Sequence, residues 1–453
     1  MLPEKSRKYF LVFASYVFYA SWKWQFCFLL LGLSLFNWAF GRWVLASAKT
    51  MRPLVVGILI NLAALVYFKY TNFLIANAAA VADLLGVSWR PSPADIILPL
   101  GISFFTFQGI AYLFDVAAGD EPFESLTDFL LFKSFWPQLI AGPIVRLHEM
   151  RPQIEAMRAV DYSDVSEGGR RILQGAFKKM VLADNIAPYV EMVFVQGAAP
   201  NAIDAFTATL GFALQIYFDF SAYSDIAIGT ARLFGFRFPE NFNWPYAAFS
   251  PQDFWNRWHM TLSRWIRDYL FTPMTFASRR RPQLAPLWLL LAMAICGLWH
   301  GAQWTFVLWG VWHGVLLAAN HTFARSFFAE PQRNQVVRRI VQTAVTVVLV
   351  CAGWILFRAT SVEQAASMFT TILTLKGGLH AAVLRENAIL IIGLIAIALF
   401  VLQSARQPFA RLFESSMAAQ TLVRWSRPIG YAAMLAAVII FDQEAKAFVY
   451  FQF

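Results

Sequence analysis

Residues 284–319 read LAPLWLLLAMAICGLWHGAQWTFVLWGVWHGVLLAA, two apolar runs broken once at His300-Gly301-Ala302-Gln303. As a helix rising about 1.5 Å per residue, the fourteen to sixteen residues before the break cover about 21–24 Å. The hydrocarbon core of a bilayer is about 30 Å thick. The run therefore stops inside the membrane and leaves His300 there, on a glycine-flanked turn (Trp299-His300-Gly301). The triplet Arg279-Arg280-Arg281 precedes it and marks a cytoplasmic end. The helix then runs outward, with His300 toward the outer side. An ionisable side chain at that depth is costly, and function is its usual reason. A hydrogen-bonded core histidine is the alternative. His313 repeats the local pattern (Trp312-His313-Gly314) but falls mid-helix, where packing is the simpler reading.

The rest of the chain calls for the same solvent. Of its 453 residues 58% are hydrophobic and only 14% charged, and mean hydropathy is +0.52. Soluble domains run at about 45–50% apolar and about 25% charged. One aqueous core cannot hide this much apolar surface, so a soluble globular protein and a disordered chain are both excluded. The net charge of +10 fits Arg and Lys gathered in cytoplasmic loops better than a nucleic-acid surface. Cys27, Cys296 and Cys351 lie in apolar runs without CxxC spacing and read as core residues.

Runs long enough to cross a bilayer are Phe26–Leu45, Ile96–Val116, Ala205–Ala231, Ile340–Phe357, Ala388–Gln403 and Pro428–Phe441. Tyr9–Ser21, Leu54–Phe68, Phe73–Leu85 and Leu284–Trp299 are short, as tilted or re-entrant pieces around a polar cavity would be. Tyr9–Ala20 belongs to the membrane region and is not a cleaved signal. Arg-rich connections (46–53, 146–171, 279–281, 325–339, 405–427) are expected in the cytoplasm, and the acidic loops 117–125 and 197–204 outside. No linker divides the chain, so residues 1–453 read as a single polytopic membrane domain.

Nine of the 17 tryptophans and three of the six histidines fall between Trp244 and His313, which marks this stretch as the place where polar and aromatic chemistry meet. Within it, Asp253–Leu270 (DFWNRWHMTLSRWIRDYL) places Trp255, Trp258, Leu262, Trp265 and Tyr269 within about 80° on a helical wheel, with Arg257, Thr261, Arg264 and Asp268 opposite. This predicts one amphipathic helix at the cytoplasmic interface, its Trp residues at headgroup depth. His259, Asn256, Ser263 and Arg267 form a flank between the faces. Either His259 snorkels to the interface, or this flank borders a polar tunnel. In helix 211–232, Asp225 is expected to pair with Arg232 or another loop Arg. His148, His321 and His380 sit in loops and receive no role. No GxGxxG opening a helix, GxxxxGK[ST] or GxSxG occurs. A histidine base deprotonating a hydroxyl suits acyl transfer from a thioester, which needs orientation and proton transfer rather than a metal.

The stretches FDFSAYSDIAIGTARLFGF (218–236), NFNWPY (241–246), FWNRWHMTLSRWIRDYLF (254–271) and GLWHGAQWTFVLWGVWHG (297–314) resemble the membrane-bound O-acyltransferase family, in its bacterial alginate O-acetylation branch. LPLGISFFTFQGIAY (98–112), PQLIAGPI (137–144), WILFRA (354–359) and FVYFQF (448–453) fit the same branch, so the resemblance covers most of the chain. It implies an all-α integral membrane fold: a ring of tilted and re-entrant helices around a thin central funnel or tunnel. It maps the family's near-invariant histidine onto His300 and its second signature polar position onto His259, as catalytic residues. It implies a multi-pass protein of the bacterial inner membrane that takes an acyl group, acetyl above all, from a cytoplasmic thioester. Periplasmic acetyltransferase partner proteins would complete transfer to a polysaccharide acceptor. The donor, acetyl-coenzyme A or another thioester, is substrate; no tightly bound cofactor, metal or nucleic acid is implied. Asn256, Arg257, Arg264 and Arg267 are the candidates to hold that donor, with lipid headgroup contact as their alternative role. Family members usually begin with a further apolar helix ahead of the segment resembling Lys8–Leu31; here the expectation is that this helix is missing or that the start of the sequence is placed late. A transporter or export channel without catalysis is the rival reading; it predicts inverted repeats, and no internal symmetry is evident.

Overall fold

The computed structural model describes residues 4–47, 50–195, 200–323, 329, 335–378, 381, 383, 384, 387, 388, 390–398, 417–441 and 448. The described residues form helices and turns, without a strand. His380, much of the run 388–403 and most of the motif 448–453 lie outside them. Among them, four helical stretches are long and apolar enough to cross a membrane: Phe26–Ala46, Arg52–Leu84, Pro282–His300 and Val336–Arg358. Large apolar side chains on these and neighbouring helices point outward, Phe13, Phe28 and Val348 each about two-thirds exposed. Apolar surface on this scale is lipid-facing. The protein is an all-α membrane protein.

The helices fall into two compact units, residues 1–169 with 227–239, and residues 170–226 with 240–453. The first unit opens with α1 (Glu4–Lys23), α2 (Phe26–Ala46), α3 (Arg52–Leu65) and α4 (Thr71–Leu84). The two short runs expected at Leu54–Phe68 and Phe73–Leu85 are one stretch, because a π-helical turn at Val66–Tyr70 carries α3 into α4 without a break. The unit continues with α5 (Ile102–Ala118), α6 (Leu126–Ser134), α7 (Trp136–Leu139) and α8 (Leu147–Glu155). The run expected from Ile96 becomes helical only at Ile102, after Pro99 and a left-handed Gly101 (φ 74°). Tyr112, Phe123, Phe129, Phe132, Phe135, Phe236 and Phe238 fill the core.

The opposite sides expected for loops 117–125 and 146–171 do not hold. Glu121 of the first pairs with Arg151 of the second (2.9 Å), and Asp115 and Asp120 approach His148. Carboxylates are poor markers of sidedness, since topology follows Lys and Arg rather than net charge. Here the acids neutralise the arginines beside them.

The second unit includes the C-terminal part of α9 (Tyr162–Ala176) and most of α11 (Ala202–Leu233), together with α10 (Asp184–Phe194), α12 (Pro251–Trp255), α13 (Met260–Ile266), α14 (Thr272–Ala277), α15 (Ala285–His300), α16 (Trp304–Phe323), α17 (Val336–Arg358), α18 (Val362–Leu373) and α19 (Met417–Ile440). The apolar run expected to stop short is α15, sixteen residues long; a 3-10 turn at Pro282–Leu284 extends it to a stretch long enough to cross, so the expected shortfall does not hold. It packs on α16 at backbone contact. A Cβ on Gly297 would lie 2.2 Å from the Phe306 carbonyl oxygen, and one on Gly310 the same distance from that of Met293. Small residues let helices approach this closely, and the GLWHG and GVWHG glycines serve that purpose. Asp225 takes Arg171 and Lys178 (both 2.6 Å), so its partner is another Arg, while Arg232 goes to Asp164.

Candidate active site

The amphipathic helix expected over 253–270 is not continuous. Ser250 caps α12 by accepting from the Asp253 N–H, the helix ends at Trp255, and the chain turns through Asn256–His259 before α13 begins. His259 itself adopts the left-handed conformation (φ 40°, ψ 54°), uncommon for a residue with a Cβ and held only where its surroundings enforce it. The Met260 N–H donates to the Asn241 carbonyl and the Ser263 N–H to the His259 carbonyl, each at 2.9 Å. The face expected at headgroup depth is inside the protein: Trp255, Trp258, Leu262, Trp265 and Tyr269 are all buried. The break turns successive indoles inward against α16 and α17. Trp255 packs on Trp309, and Trp258 on Trp354.

His259 is sealed from solvent. Its Nδ1 lies 3.1 Å from Asn241 Oδ1, an atom that also accepts from the Thr261 N–H (3.2 Å) and Oγ1–H (2.9 Å). Asn241 turns its amide nitrogen to Ser224 Oγ (3.0 Å), which fixes its orientation. Asn241 Oδ1 is thus the acceptor, His259 Nδ1 carries a proton, and in the neutral ring the lone pair is on Nε2. Phe220 meets the ring edge to face at 4.7 Å. Asn241, in the NFNWPY motif, is a site residue that helical periodicity could not point to, because it lies in a loop seventeen or more residues from its partners.

His300 closes α15, nearly buried, in a slot of rings: Trp299 at 4.9 Å, Trp309 at 5.0 Å and Phe357 at 5.4 Å. Trp309 and Phe357 come from α16 and from the WILFRA stretch of α17. His313 is buried mid-helix as expected, its Nδ1 accepting from the Trp255 indole N–H at 3.3 Å.

Three of the four donor candidates come together. Asn256, Arg264 and Arg267 line a cavity of about 390 Å³, with Trp255, Met293 and Cys296 among its other walls. That is room for part of a small ligand. Arg257 is not in its lining and pairs with Asp253 (2.8 Å). Neither His259 nor His300 lines it, but Cys296 does, and four residues along α15 separate Cys296 from His300, a rise of about 6 Å. In the first unit, ligand atoms of Asp115, Asp120 and His148 lie within 4.8 Å of one another, a grouping that could hold a cation and that the spacing along the chain conceals.

Comparison with known proteins places this arrangement. Residues 123–362 match the membrane-bound O-acyltransferase family. The chain is 38% identical over 379 residues to the probable alginate O-acetylase of Azotobacter vinelandii, covering 81% of this chain and 72% of that one. It is 34% identical over 406 residues to the peptidoglycan O-acetyltransferase of Helicobacter pylori (82% and 74%). Similarity to the teichoic acid D-alanyltransferase of Bacillus subtilis is lower, 29% over 245 residues (51% and 61%). On this evidence the chain is an O-acyltransferase and belongs to the membrane-bound O-acyltransferase family.

Proposed function

We propose that this enzyme takes an acetyl group from a cytoplasmic thioester, acetyl-coenzyme A or another acyl thioester, for O-acetylation of an exopolysaccharide such as alginate. It acts as a multi-pass protein of the bacterial inner membrane, with periplasmic acetyltransferase partners completing the transfer. The observation that carries this reading is the 390 Å³ chamber, lined by Asn256, Arg264 and Arg267 and also by Cys296, which lies one helical turn before His300. Two guanidinium groups beside an apolar pocket suit a donor with an anionic body and a small acyl end. Phosphate cradles and a serine nucleophile find no support in the sequence.

In this reading His300 is the general base. Its lone pair takes the proton of an acceptor hydroxyl as the oxygen attacks the thioester carbonyl; the C–S bond breaks and the thiolate leaves, protonated in turn. His259, sealed from solvent, with a secured Nδ1–H and outside the chamber's lining, acts as a positioning residue for donor or nucleophile. The names of the alginate and peptidoglycan relatives support polysaccharide hydroxyls as the final acceptor, which the partners acetylate. The test is His300→Ala in cells that make the polymer. The acetyl content of the polymer should disappear while the protein still reaches the membrane; normal acetyl content would defeat the assignment.

A further inference from the structure

His313 lies outside the mechanism above, yet its surroundings are specific. The Trp255 indole N–H, a donor only, points at His313 Nδ1. Nδ1 is therefore bare, and the ring proton of the neutral imidazole is on Nε2. A doubly protonated ring would set N–H against N–H and break the contact. Nε2 finds no hydrogen-bond partner among the described residues and faces α17, where a Cβ on Gly353 would lie 2.9 Å from it. With one nitrogen occupied and the other against a helix backbone, the ring has no route for a proton. It does have a mechanical connection. Trp255 is a wall of the chamber, and Trp309, 5.0 Å from His313, is also 5.0 Å from His300.

The geometry points to His313 as a positioning residue for donor binding: by accepting from Trp255 it fixes the indole that forms one wall of the donor chamber. This rests on the reading that the chamber takes the thioester donor. Trp255 ends the five-residue helix α12, just before the chain turns toward His259. So short a helix has little rigidity of its own, and the imidazole supplies an anchor from the longer α16.

The test is equilibrium binding of radiolabelled acetyl-coenzyme A to the full chain in lipid nanodiscs. His313→Leu removes the acceptor; His313→Asn keeps one, an amide oxygen that can stand where Nδ1 stands. Gly353→Ala leaves the imidazole in place but crowds it. Loss of one buried hydrogen bond should weaken binding about five- to tenfold in His313→Leu. Gly353→Ala should move in the same direction, and His313→Asn should stay within about twofold of the parent. In a Trp255→Phe background, His313→Leu should add nothing, since the two act as one unit. Equal weakening by Leu and Asn, or full additivity with Trp255→Phe, overturns the positioning role while leaving the donor chamber intact. Absence of saturable binding to the parent overturns the donor chamber itself, and this inference with it.

Discussion

The two segments that carry the candidate histidines bury them by opposite means. Around His259 the chain uses hydrogen bonds: a left-handed turn, an asparagine oxygen collecting three donors, and a fixed tautomer. Around His300 it uses rings, with Trp299, Trp309 and Phe357 setting where the imidazole sits. A hydrogen-bond lock fixes the proton as well as the position. An aromatic slot fixes the position and tilt of the ring through its faces and edges.

Substitutions can break this contrast. The largest effect is expected at His300. Removal of a general base should lower acetyl transfer by about 10²–10⁴-fold with little change in the amount of folded protein, read as acetyl released per mole of purified enzyme. Next is Asn241→Ala. It strands the His259 Nδ1–H and the Thr261 donors in a sealed site and should cost about 1–3 kcal/mol of stability, read as a lower midpoint of thermal unfolding in detergent. If Asn241→Ala leaves both stability and activity unchanged, the lock around His259 has no consequence.

Smaller effects sharpen the donor side. Arg264→Ala should raise KM for a coenzyme A thioester about tenfold, the worth of a charge-assisted hydrogen bond. Arg267→Ala should do less, because that side chain is 62% exposed and paired with Asp268. Arg257→Ala should leave KM alone, since it is paired with Asp253 away from the lining. An Arg257 effect as large as that of Arg264 would move the donor elsewhere.

The smallest effect concerns pH and lies far from both histidines. Asp164 is sealed from solvent and takes Arg158 in a two-pronged pair (2.5 Å) with Arg232 at 2.9 Å. The hydrogen bonds from Arg158 hold its carboxyl well below the ordinary carboxylate range, against the opposing effect of burial. A carboxyl depressed by folding contributes stability above its unfolded pKa, about 4, and loses it as pH falls toward the folded value. Unfolding midpoints should therefore drop below about pH 4, and an Asp164→Asn variant should show a weaker dependence there.

Much of this was legible in residues alone. The run 284–299 placed His300 at the end of an apolar helix, and α15 ends there, but with the turn before it the stretch Pro282–His300 is long enough to cross a membrane, which the apolar run alone did not show. Tyr9–Ser21 was read too short and Leu54–Leu85 as two pieces, because apolar content marks burial in lipid and not where helical hydrogen bonding stops; the polar ends of α1 and the π-turn at Val66–Tyr70 are helical all the same. The larger miss was Asp253–Leu270, where a correct apolar face was mistaken for a continuous helix. Nothing in the periodicity shows a single left-handed residue at His259, since side-chain pattern survives a turn that backbone hydrogen bonding does not.

What the sequence by itself determined is the solvent and the helical class. Composition sets the first, and hydrogen-bond satisfaction in lipid leaves helices as the solution for an apolar chain of this kind. Only the tertiary structure decided which partners the candidate histidines have. Asn241 for His259, Phe357 for His300 and Trp255 for His313 lie in other segments of the chain, and contacts between segments follow from packing, which no local pattern encodes.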